Sequence, residues 1–383
     1  METKTMVMIP GPTPVVDSIR AQMARPIQAF GDPRFVKDYK GLIDDMGKMF
    51  SCNGKTFVLA GTGTMGMEMA IANSSKRGDN ALIVSHGFFG DRFIDICKAK
   101  GLETDALQSE WGKTIPVSEI EAKLKEKNYA LMTVSHVDTA TGVAADLAAI
   151  GAMMKQFPNT LFIVDGVCST AAHYENMAEM NIDILFTGSQ KAFGVCPGLF
   201  MLWANQKALD RRESLGATIP EYYLDYKRWI PIMDDPINYF ATPAVNLVWA
   251  LKESVRIIEA EGGLKVRYER HLKHARAIQK ALEALGLKIL AEPSCRAVTL
   301  TNILYPEGTD DTLFRKTLIE EGIIAAGGLG AYKGKLFRIG HMGNIDTNDI
   351  VAVLSTVERA LARVCNIEKF GVAVGTYLTE VKK

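Results

Sequence analysis

Residues 161–165 read LFIVD and residues 182–191 read IDILFTGSQK, and each stretch is a short apolar run that ends in polar residues. Runs of this length, rich in Ile, Val and Phe and bounded by Gly, are typical of buried strands in a parallel sheet. The first run ends at Asp165, and the second leads into Lys191. Ligands of open α/β sheets bind beyond the carboxyl ends of the strands, so we expect Asp165 and Lys191 to face one crevice.

The chain around these two runs alternates between apolar strands and helical segments. Further strands are predicted at 56–59, 80–84, 130–135 and 199–204, and helices at 35–50, 64–73, 90–100, 117–127 and 147–157. This alternation predicts an α/β fold with a large doubly wound, mainly parallel sheet.

The pattern changes after residue 243. Two long helices are predicted at 245–261 and 265–285, on either side of a glycine pair that favours a helix end. Shorter strands and helices follow, which predicts a smaller α+β C-terminal domain. We therefore expect an N-terminal arm at 1–20 that packs with the small domain and the active site, a large domain at 21–260 and a small domain at 261–383.

Composition narrows the class of protein. The 383 residues include 44 basic and 44 acidic side chains, and this zero net charge argues against an electrostatic nucleic-acid or membrane partner. No apolar stretch approaches the ~20 residues that span a bilayer. The start of the chain lacks the apolar core of a signal peptide. Six scattered cysteines without a C-x-x-C pair favour reduced thiols and a cytoplasmic location.

The side chains at the two strand ends suggest a specific chemistry. A lysine there can form a Schiff base with a carbonyl compound, and an aspartate can keep the ring nitrogen of pyridoxal phosphate protonated. Residues 61–66 read GTGTMG, which matches the dinucleotide fingerprint G-x-G-x-x-G. That fingerprint also needs an acid at the end of the next strand, where this chain has Ser85. A phosphate held at a helix N-terminus fits the glycine-rich turn better.

Several motifs together resemble a known family. Gly188-Ser189-Gln190-Lys191, followed by PGL at 197–199, is similar to the lysine segment of the alanine–glyoxylate and serine–pyruvate aminotransferases. These are class V, fold-type I enzymes that depend on pyridoxal phosphate. The resemblance covers most of the chain in six ordered blocks, from PGPT at 10–13 to FRIG at 337–340.

The resemblance implies a function and a set of site residues. It implies ping-pong transfer of an amino group from alanine or serine to glyoxylate or pyruvate, by a homodimer. Lys191 would form the Schiff base and carry the proton, and Asp165 would contact the ring nitrogen. The resemblance implies that the cofactor phosphate is bound by Thr62, Gly63, Thr64 and Gln190, and that the two ring faces contact Phe89 and Val167. Thr141 would contact the phenolic oxygen or the substrate, and Tyr239 and Thr242 would reach the phosphate of the neighbouring subunit. Arg338 would bind the substrate carboxylate, and the arm at Gly11 would close over the substrate.

This chain departs from the family pattern at several positions. Phe89 stands where the family often has Trp, and Phe88 beside it is expected in the core. Val137 and Asp138 replace the common Gly and Glu, which leaves the contacts of their loop open.

Other readings remain open at this point. Relatives that act on 2-aminoethylphosphonate, aspartate or ureidoglycine share the cofactor, and Arg34 or Arg92 could bind a second acidic group. From other classes, an NAD-dependent dehydrogenase and a catalytically silent binding protein also remain. No metal site is expected, because His271 and His274 have no third ligand nearby in sequence and their helix face is expected to be solvated.

Overall fold

The computed structural model describes residues 5–383, and it contains two main sheets. In chain order the strands of these residues are β1 (Met6–Val7), β2 (Lys55–Gly61), β3 (Asn80–Ser85), β4 (Glu103–Gln108), β5 (Leu131–Ser135), β6 (Val137–Asp138), β7 (Val143–Ala144), β8 (Leu161–Asp165), β9 (Ile184–Gly188), β10 (Gly198–Ala204), β11 (Lys288–Ile289), β12 (Leu300–Leu304), β13 (Ile323–Ile324), β14 (Ala326–Gly327) and β15 (Leu336–Gly340).

The helices lie between and around these strands. They are α1 (Asp17–Met23), α2 (Pro33–Met49), α3 (Gly63–Ser74), α4 (Phe88–Lys100), α5 (Val117–Glu126), α6 (Leu147–Met154), α7 (Gln206–Ser214), α8 (Tyr226–Asp234), α9 (Val245–Glu261), α10 (Gly263–Ala284), α11 (Asp311–Glu320), α12 (Thr347–Cys365) and α13 (Val372–Glu380).

The large sheet confirms the α/β prediction. Its seven strands lie in the order β2-β10-β9-β8-β5-β3-β4, and only β10 runs against its two neighbours. The central strands are buried along their whole length, as expected for a sheet that is covered on both faces. Ser135 and Asp165 are direct partners in the ladder between β5 and β8, so both lie at the carboxyl edge of the sheet.

The smaller C-terminal sheet has the order β11-β12-β15-β14 and is antiparallel. A second hydrophobic cluster surrounds it and is separate from the cluster of the large sheet. The domain division that we infer from the sequence falls at the turn between α9 and α10, where Gly262 adopts a left-handed conformation that a side chain would disfavour.

The N-terminal arm joins the small sheet to the active-site edge. Strand β1 pairs in parallel with β13, and the amide of Gly340 donates to the carbonyl of Met8. The Thr13 hydroxyl then donates to the carbonyl of Lys191 at 2.8 Å. The arm is therefore extended only as far as α1, and its first four residues lie outside the described part of the chain.

One sequence-based expectation about the helices was wrong. The His271–His274 face of α10 is not solvated, because His271 is fully buried and its Nε2 accepts the amide of Gly343. His274 is covered by α13 and shares a hydrogen bond with the Tyr377 hydroxyl at 2.7 Å. Helix α13 was not predicted from the sequence, and it covers the face that was expected to be open.

Candidate active site

A cavity of about 230 Å³ lies at the carboxyl edge of the large sheet. It is formed where β8 and β9 end and where α3 and α4 begin. Its lining consists of Thr62, Gly63, Thr64, Met67, Phe89, Arg92, Val137, Thr139, Asp165, Val167, Cys168, Gln190 and Lys191. Eight of the residues predicted from the sequence therefore line one cavity.

Asp165 is a buried carboxylate at the base of this cavity. Only 4% of the residue is exposed, and its Oδ1 accepts the Val167 amide at 2.8 Å while its Oδ2 accepts the Ser135 hydroxyl at 3.3 Å. Burial raises the pKa of Asp165 to about 6, and the charge of Asp138 adds to this effect. A buried anion with few partners is well suited to a cationic ring nitrogen.

Lys191 enters the cavity from the turn that follows β9. The residue is 9% exposed, and its Nζ donates to the carbonyl of Pro10 in the N-terminal arm. Burial lowers the pKa of Lys191, which increases the fraction of uncharged amine that can act as a nucleophile or base. A Cβ on Gly11 would lie 2.5 Å from Lys191 Cδ, so glycine is needed where the arm crosses the lysine.

The N-terminus of α3 forms a cradle for an anion. Thr62 is the N-cap residue, and its Oγ1 accepts the Met65 amide at 3.4 Å. A Cβ on Gly63 would lie 2.6 Å from Val167 Cγ2, so this turn also depends on glycine. Free amides at a helix N-terminus favour phosphate, and Arg92 adds a cation by donating to Thr64 Oγ1 at 2.9 Å.

Phe89 and Val167 are the two residues predicted to contact the cofactor ring, and both line this cavity. The Arg92 guanidinium lies 4.9 Å from the centre of the Phe89 ring. Phe88 was expected in the core, but this residue is 37% exposed. It lies at the first position of α4 and packs edge-on against Phe89, with ring centres 5.4 Å apart.

Arg338 projects from β15 toward the cavity wall, although it does not line the cavity. Its Nε donates to the carbonyl of Gly327 at 2.7 Å and its Nη1 to the carbonyl of Thr139 at 3.2 Å. Within residues 5–383 it has no carboxylate partner at ion-pair distance, although it is only 8% exposed. A buried guanidinium of this kind can take a carboxylate from a ligand.

Three predicted residues lie away from the cavity. Thr141 is fully buried and packs against Gly87, where an added Cβ would lie 2.7 Å from Thr141 Cγ2. Thr141 therefore points away from the cavity, and Thr139 of the same loop lines it instead. Tyr239 is 62% exposed, and its hydroxyl shares a hydrogen bond with Thr242 at 3.3 Å. Neither of these two residues lines the cavity of its own chain.

The sequence reasoning missed several lining residues. Thr139 lies two positions before the predicted Thr141, and a loop sequence does not reveal which threonine points inward. Arg92 was considered only as a contact for a second acidic group of a substrate; it follows Phe89 by one helical turn on α4, so the periodicity of the helix places both on one face. Cys168 follows Val167 directly and is buried beside the lysine.

A larger depression of about 460 Å³ lies at the opposite edge of the sheet. Its carboxylate already has partners, because Asp183 Oδ2 accepts both the Phe162 amide and the Lys207 ammonium at 2.8 Å. We therefore place the chemistry in the smaller cavity, where Asp165 and Lys191 meet.

A family model described as Aminotransferase class-V matches residues 37–340. The chain belongs to this family. An uncharacterized aminotransferase of Methanocaldococcus jannaschii is 36% identical over 364 residues, which cover 94% of this chain and 93% of that protein. A serine–glyoxylate aminotransferase of Hyphomicrobium methylovorum is 34% identical over 362 residues, which cover 93% of this chain and 89% of that protein.

Solved structures agree with this assignment. The ureidoglycine–glyoxylate aminotransferase of Bacillus subtilis superposes with a TM-score of 0.93 at 26% identity, and the match covers 100% of this chain and 99% of that one. The chain is thus a pyridoxal phosphate-dependent class V aminotransferase with a fold-type I architecture. The dehydrogenase and the silent binding protein are set aside as alternatives.

Two further observations concern residues 5–383. No group of three or more His, Cys, Asp or Glu side chains in this range is arranged to hold a metal ion. None of the helices described there combines the length and the apolar character that crossing a membrane requires.

Proposed function

We propose that this aminotransferase moves an amino group from a small amino acid, alanine or serine, to glyoxylate or pyruvate. The observation that carries the proposal is the meeting of buried Asp165 and Lys191 in one cavity that also receives the N-terminus of α3. Glyoxylate is supported as acceptor because it appears in the names of both the Hyphomicrobium relative and the Bacillus structural neighbour.

The cavity residues fit the cofactor. When bound, pyridoxal phosphate supplies an aldehyde carbon for amino groups and a ring that accepts electrons. Asp165 Oδ1 and Oδ2 would accept the hydrogen bond of the ring nitrogen, and the negative charge would keep that nitrogen protonated. Thr62, Gly63 and Thr64 would hold the phosphate with Gln190, while Phe89 and Val167 would enclose the ring from its two faces.

Lys191 is proposed to move the proton. Its Nζ has a lowered pKa, and it is held beside the arm by the carbonyl of Pro10. An uncharged amine at this point would take a proton from the α-carbon of the amino acid and deliver it to the former aldehyde carbon of the cofactor. The arm around Gly11 would exclude water from this transfer.

Arg338 is proposed to orient the substrate. Its Nε and Nη1 are held by two backbone carbonyls, which leaves Nη2 and the positive charge for the α-carboxylate. Burial would strengthen this contact, because water competes less for a charge in a half-closed site.

A second substrate class is supported by one observation. Arg92 lines the cavity, and within the described residues no carboxylate lies at ion-pair distance from it. A substrate with a second acidic group, such as aspartate or 2-aminoethylphosphonate, could therefore be bound there; ureidoglycine remains a further option. Arg34 gives no such support in this chain, because it is exposed and its guanidinium bonds to Asp32.

A homodimer completes the proposal. Tyr239 and Thr242 are exposed in one chain, and they would reach the phosphate of the neighbouring active site. Other large apolar side chains are exposed in the same stretch of the chain, namely Tyr222, Tyr223 and Ile237. Several large apolar side chains exposed in one chain favour a protein interface. The cytoplasmic location remains a proposal that rests on the scattered cysteines.

A screen of amino donors tests the function. Protein reconstituted with pyridoxal phosphate is mixed separately with alanine, serine, aspartate, glutamate and 2-aminoethylphosphonate, and the cofactor absorbance is followed. We expect the fastest change with alanine or serine, and recovery of the spectrum on addition of glyoxylate or pyruvate. The Lys191→Ala variant is the control and should not respond. A fastest response to an acidic donor that is lost in Arg92→Leu would support the second class instead.

A further inference from the structure

Asp138 is a buried carboxylate behind the wall of the active-site cavity. The residue is fully buried, and within residues 5–383 it has no Lys, Arg or His at ion-pair distance. Its three partners are backbone amides. Oδ2 accepts from Phe89 at 2.8 Å and Gly90 at 3.3 Å, and Oδ1 accepts from Ala140 at 2.8 Å. Burying a charge without an ion pair is costly, and the three amides offset only part of that cost.

Two of these amides are the free donors of a helix start. Helix α4 begins at Phe88, and its N-cap residue, Gly87, has no side chain that could accept a hydrogen bond. Phe89 and Gly90 occupy the second and third positions, whose amides a capping side chain normally accepts. Asp138 supplies this cap from another part of the chain, and its negative charge suits the positive end of the helix.

The geometry of the turn is adapted to this contact. A Cβ on Gly87 would lie 2.8 Å from Asp138 Cγ and 2.7 Å from Thr141 Cγ2. Glycine at this position therefore lets the loop of Asp138 approach the start of α4. The same close approach explains why Thr141 is buried against the turn and does not line the cavity.

The cap joins two walls of the site. Phe89 lies on α4, and Thr139 directly follows Asp138; both line the cavity. On the far side of this loop, the carbonyl of Thr139 accepts Arg338 Nη1, and the carbonyl of Ala140 accepts Asn302 Nδ2 at 2.7 Å. Asp138 therefore lies between the predicted ring contact and the predicted substrate arginine.

We propose that Asp138 is a positioning residue, which sets the place of Phe89 and of the Thr139–Arg338 contact by capping α4 from the neighbouring loop. The inference rests on the proposed roles of Phe89 and Arg338 at this site. Its charge also acts on Asp165, since the negative charge of Asp138 is one of the causes that raise the pKa of that carboxyl group.

The test compares three variants of the full-length protein. Asp138→Asn keeps the shape but removes the charge and one acceptor, and Asp138→Glu keeps the carboxylate on a side chain that is one methylene longer. The matched control is Asp183→Asn, because Asp183 is also buried and its carboxylate also accepts a backbone amide at 2.8 Å, but at the opposite edge of the sheet. The readouts are the Kd of pyridoxal phosphate, the circular dichroism of the bound cofactor, and the midpoint of urea unfolding.

We expect Asp138→Asn to weaken cofactor binding by about tenfold, because Phe89 and the loop of Thr139 would be held less firmly at the wall of the cavity. The circular dichroism of the cofactor should change, because the ring would be held less firmly by Phe89. Asp138→Glu should recover most of both properties. Asp183→Asn should lower the unfolding midpoint while leaving the Kd and the cofactor signal within about twofold of wild type.

Two results would overturn the inference. One is an Asp138→Asn protein whose Kd and cofactor signal match wild type. The other is an equal weakening of cofactor binding in Asp183→Asn, which would mean that the loss of any buried carboxylate weakens binding by lowering the stability of the fold. If Asp138→Asn does not fold, amide hydrogen exchange of the wild-type apoprotein decides, because unprotected amides at Phe89 and Gly90 would refute the cap. If the wild-type protein binds no cofactor, the proposed function is refuted. The hydrogen-exchange experiment would still test the cap on α4, because it uses the apoprotein.

Discussion

Asp165 is held in a setting that disfavours its charge when the cofactor is absent, and replacing it should therefore stabilise the apoprotein. Burial raises the pKa of Asp165 from 3.8 to about 6. Since one pKa unit corresponds to about 1.4 kcal/mol, the ionised carboxylate lowers the free energy of unfolding by about 3 kcal/mol at neutral pH. Asp165→Asn removes the charge, and its amide oxygen can still accept the Val167 amide.

The sign follows from proton binding. Between about pH 4 and 6 the folded apoprotein binds a proton at Asp165 that the unfolded chain has released, so the stability falls as the pH rises through this range. We expect Asp165→Asn to be more stable than wild type by up to about 3 kcal/mol at pH 8, and the difference to vanish near pH 4.

Urea unfolding of the two apoproteins from pH 4 to 8 measures this difference. Saturating pyridoxal phosphate should reverse the order, because the cofactor binds the folded wild type more tightly. Asp183→Asn is the control with the opposite sign, because Asp183 is paired with Lys207 and its replacement should destabilise the protein. The reasoning fails if Asp165→Asn is less stable than wild type at pH 8, or if the difference grows toward acid pH.

Three further predictions concern the substrate, the arm and the second subunit. Arg338→Gln should raise the KM for the amino donor by about tenfold or more, because a charge-assisted hydrogen bond to the substrate carboxylate is lost, while the Kd of the cofactor stays unchanged. An unchanged KM would refute the role of this guanidinium. Gly11→Ala should slow cofactor attachment, since the added methyl group would overlap Lys191, whereas Gly308→Ala, which also has a positive φ but open space, should not; equal rates in both variants would contradict this account. Tyr239→Phe should weaken cofactor binding, and a Kd equal to wild type would exclude a phosphate contact by this tyrosine. Mixing the Tyr239→Phe and Lys191→Ala proteins should create hybrid dimers in which one active site has both defects and the other has neither.

The residues that the sequence located correctly share one property. Asp165 and Lys191 follow buried strands, and the carboxyl ends of neighbouring parallel strands meet at one edge. Their proximity is thus a consequence of topology and does not require knowledge of the loops. The glycine-rich turn before α3 was predictable for a similar reason, because a strand–turn–helix unit fixes the direction of its amides.

Other features depend on contacts that a local pattern does not contain. Strand β4 is half exposed and lacks a continuous apolar run, so the sequence gives little sign of it. The choice between Thr139 and Thr141 is set by the contact of Asp138 with α4, which joins residues about fifty positions apart. His271 and His274 were misjudged because the charged residues around them suggested an open face, whereas α13 covers it.

The parallel pairing of β1 with β13 links residues separated by more than three hundred positions. Strand β1 therefore leaves the ribosome more than three hundred residues before its partner β13, and contacts of such long range are slow to form. The segment that lies over Lys191 cannot be in place until Ile323, Ile324 and Gly340 have emerged. A nascent chain can thus complete its large sheet early and still expose its reactive amine to the surrounding solution.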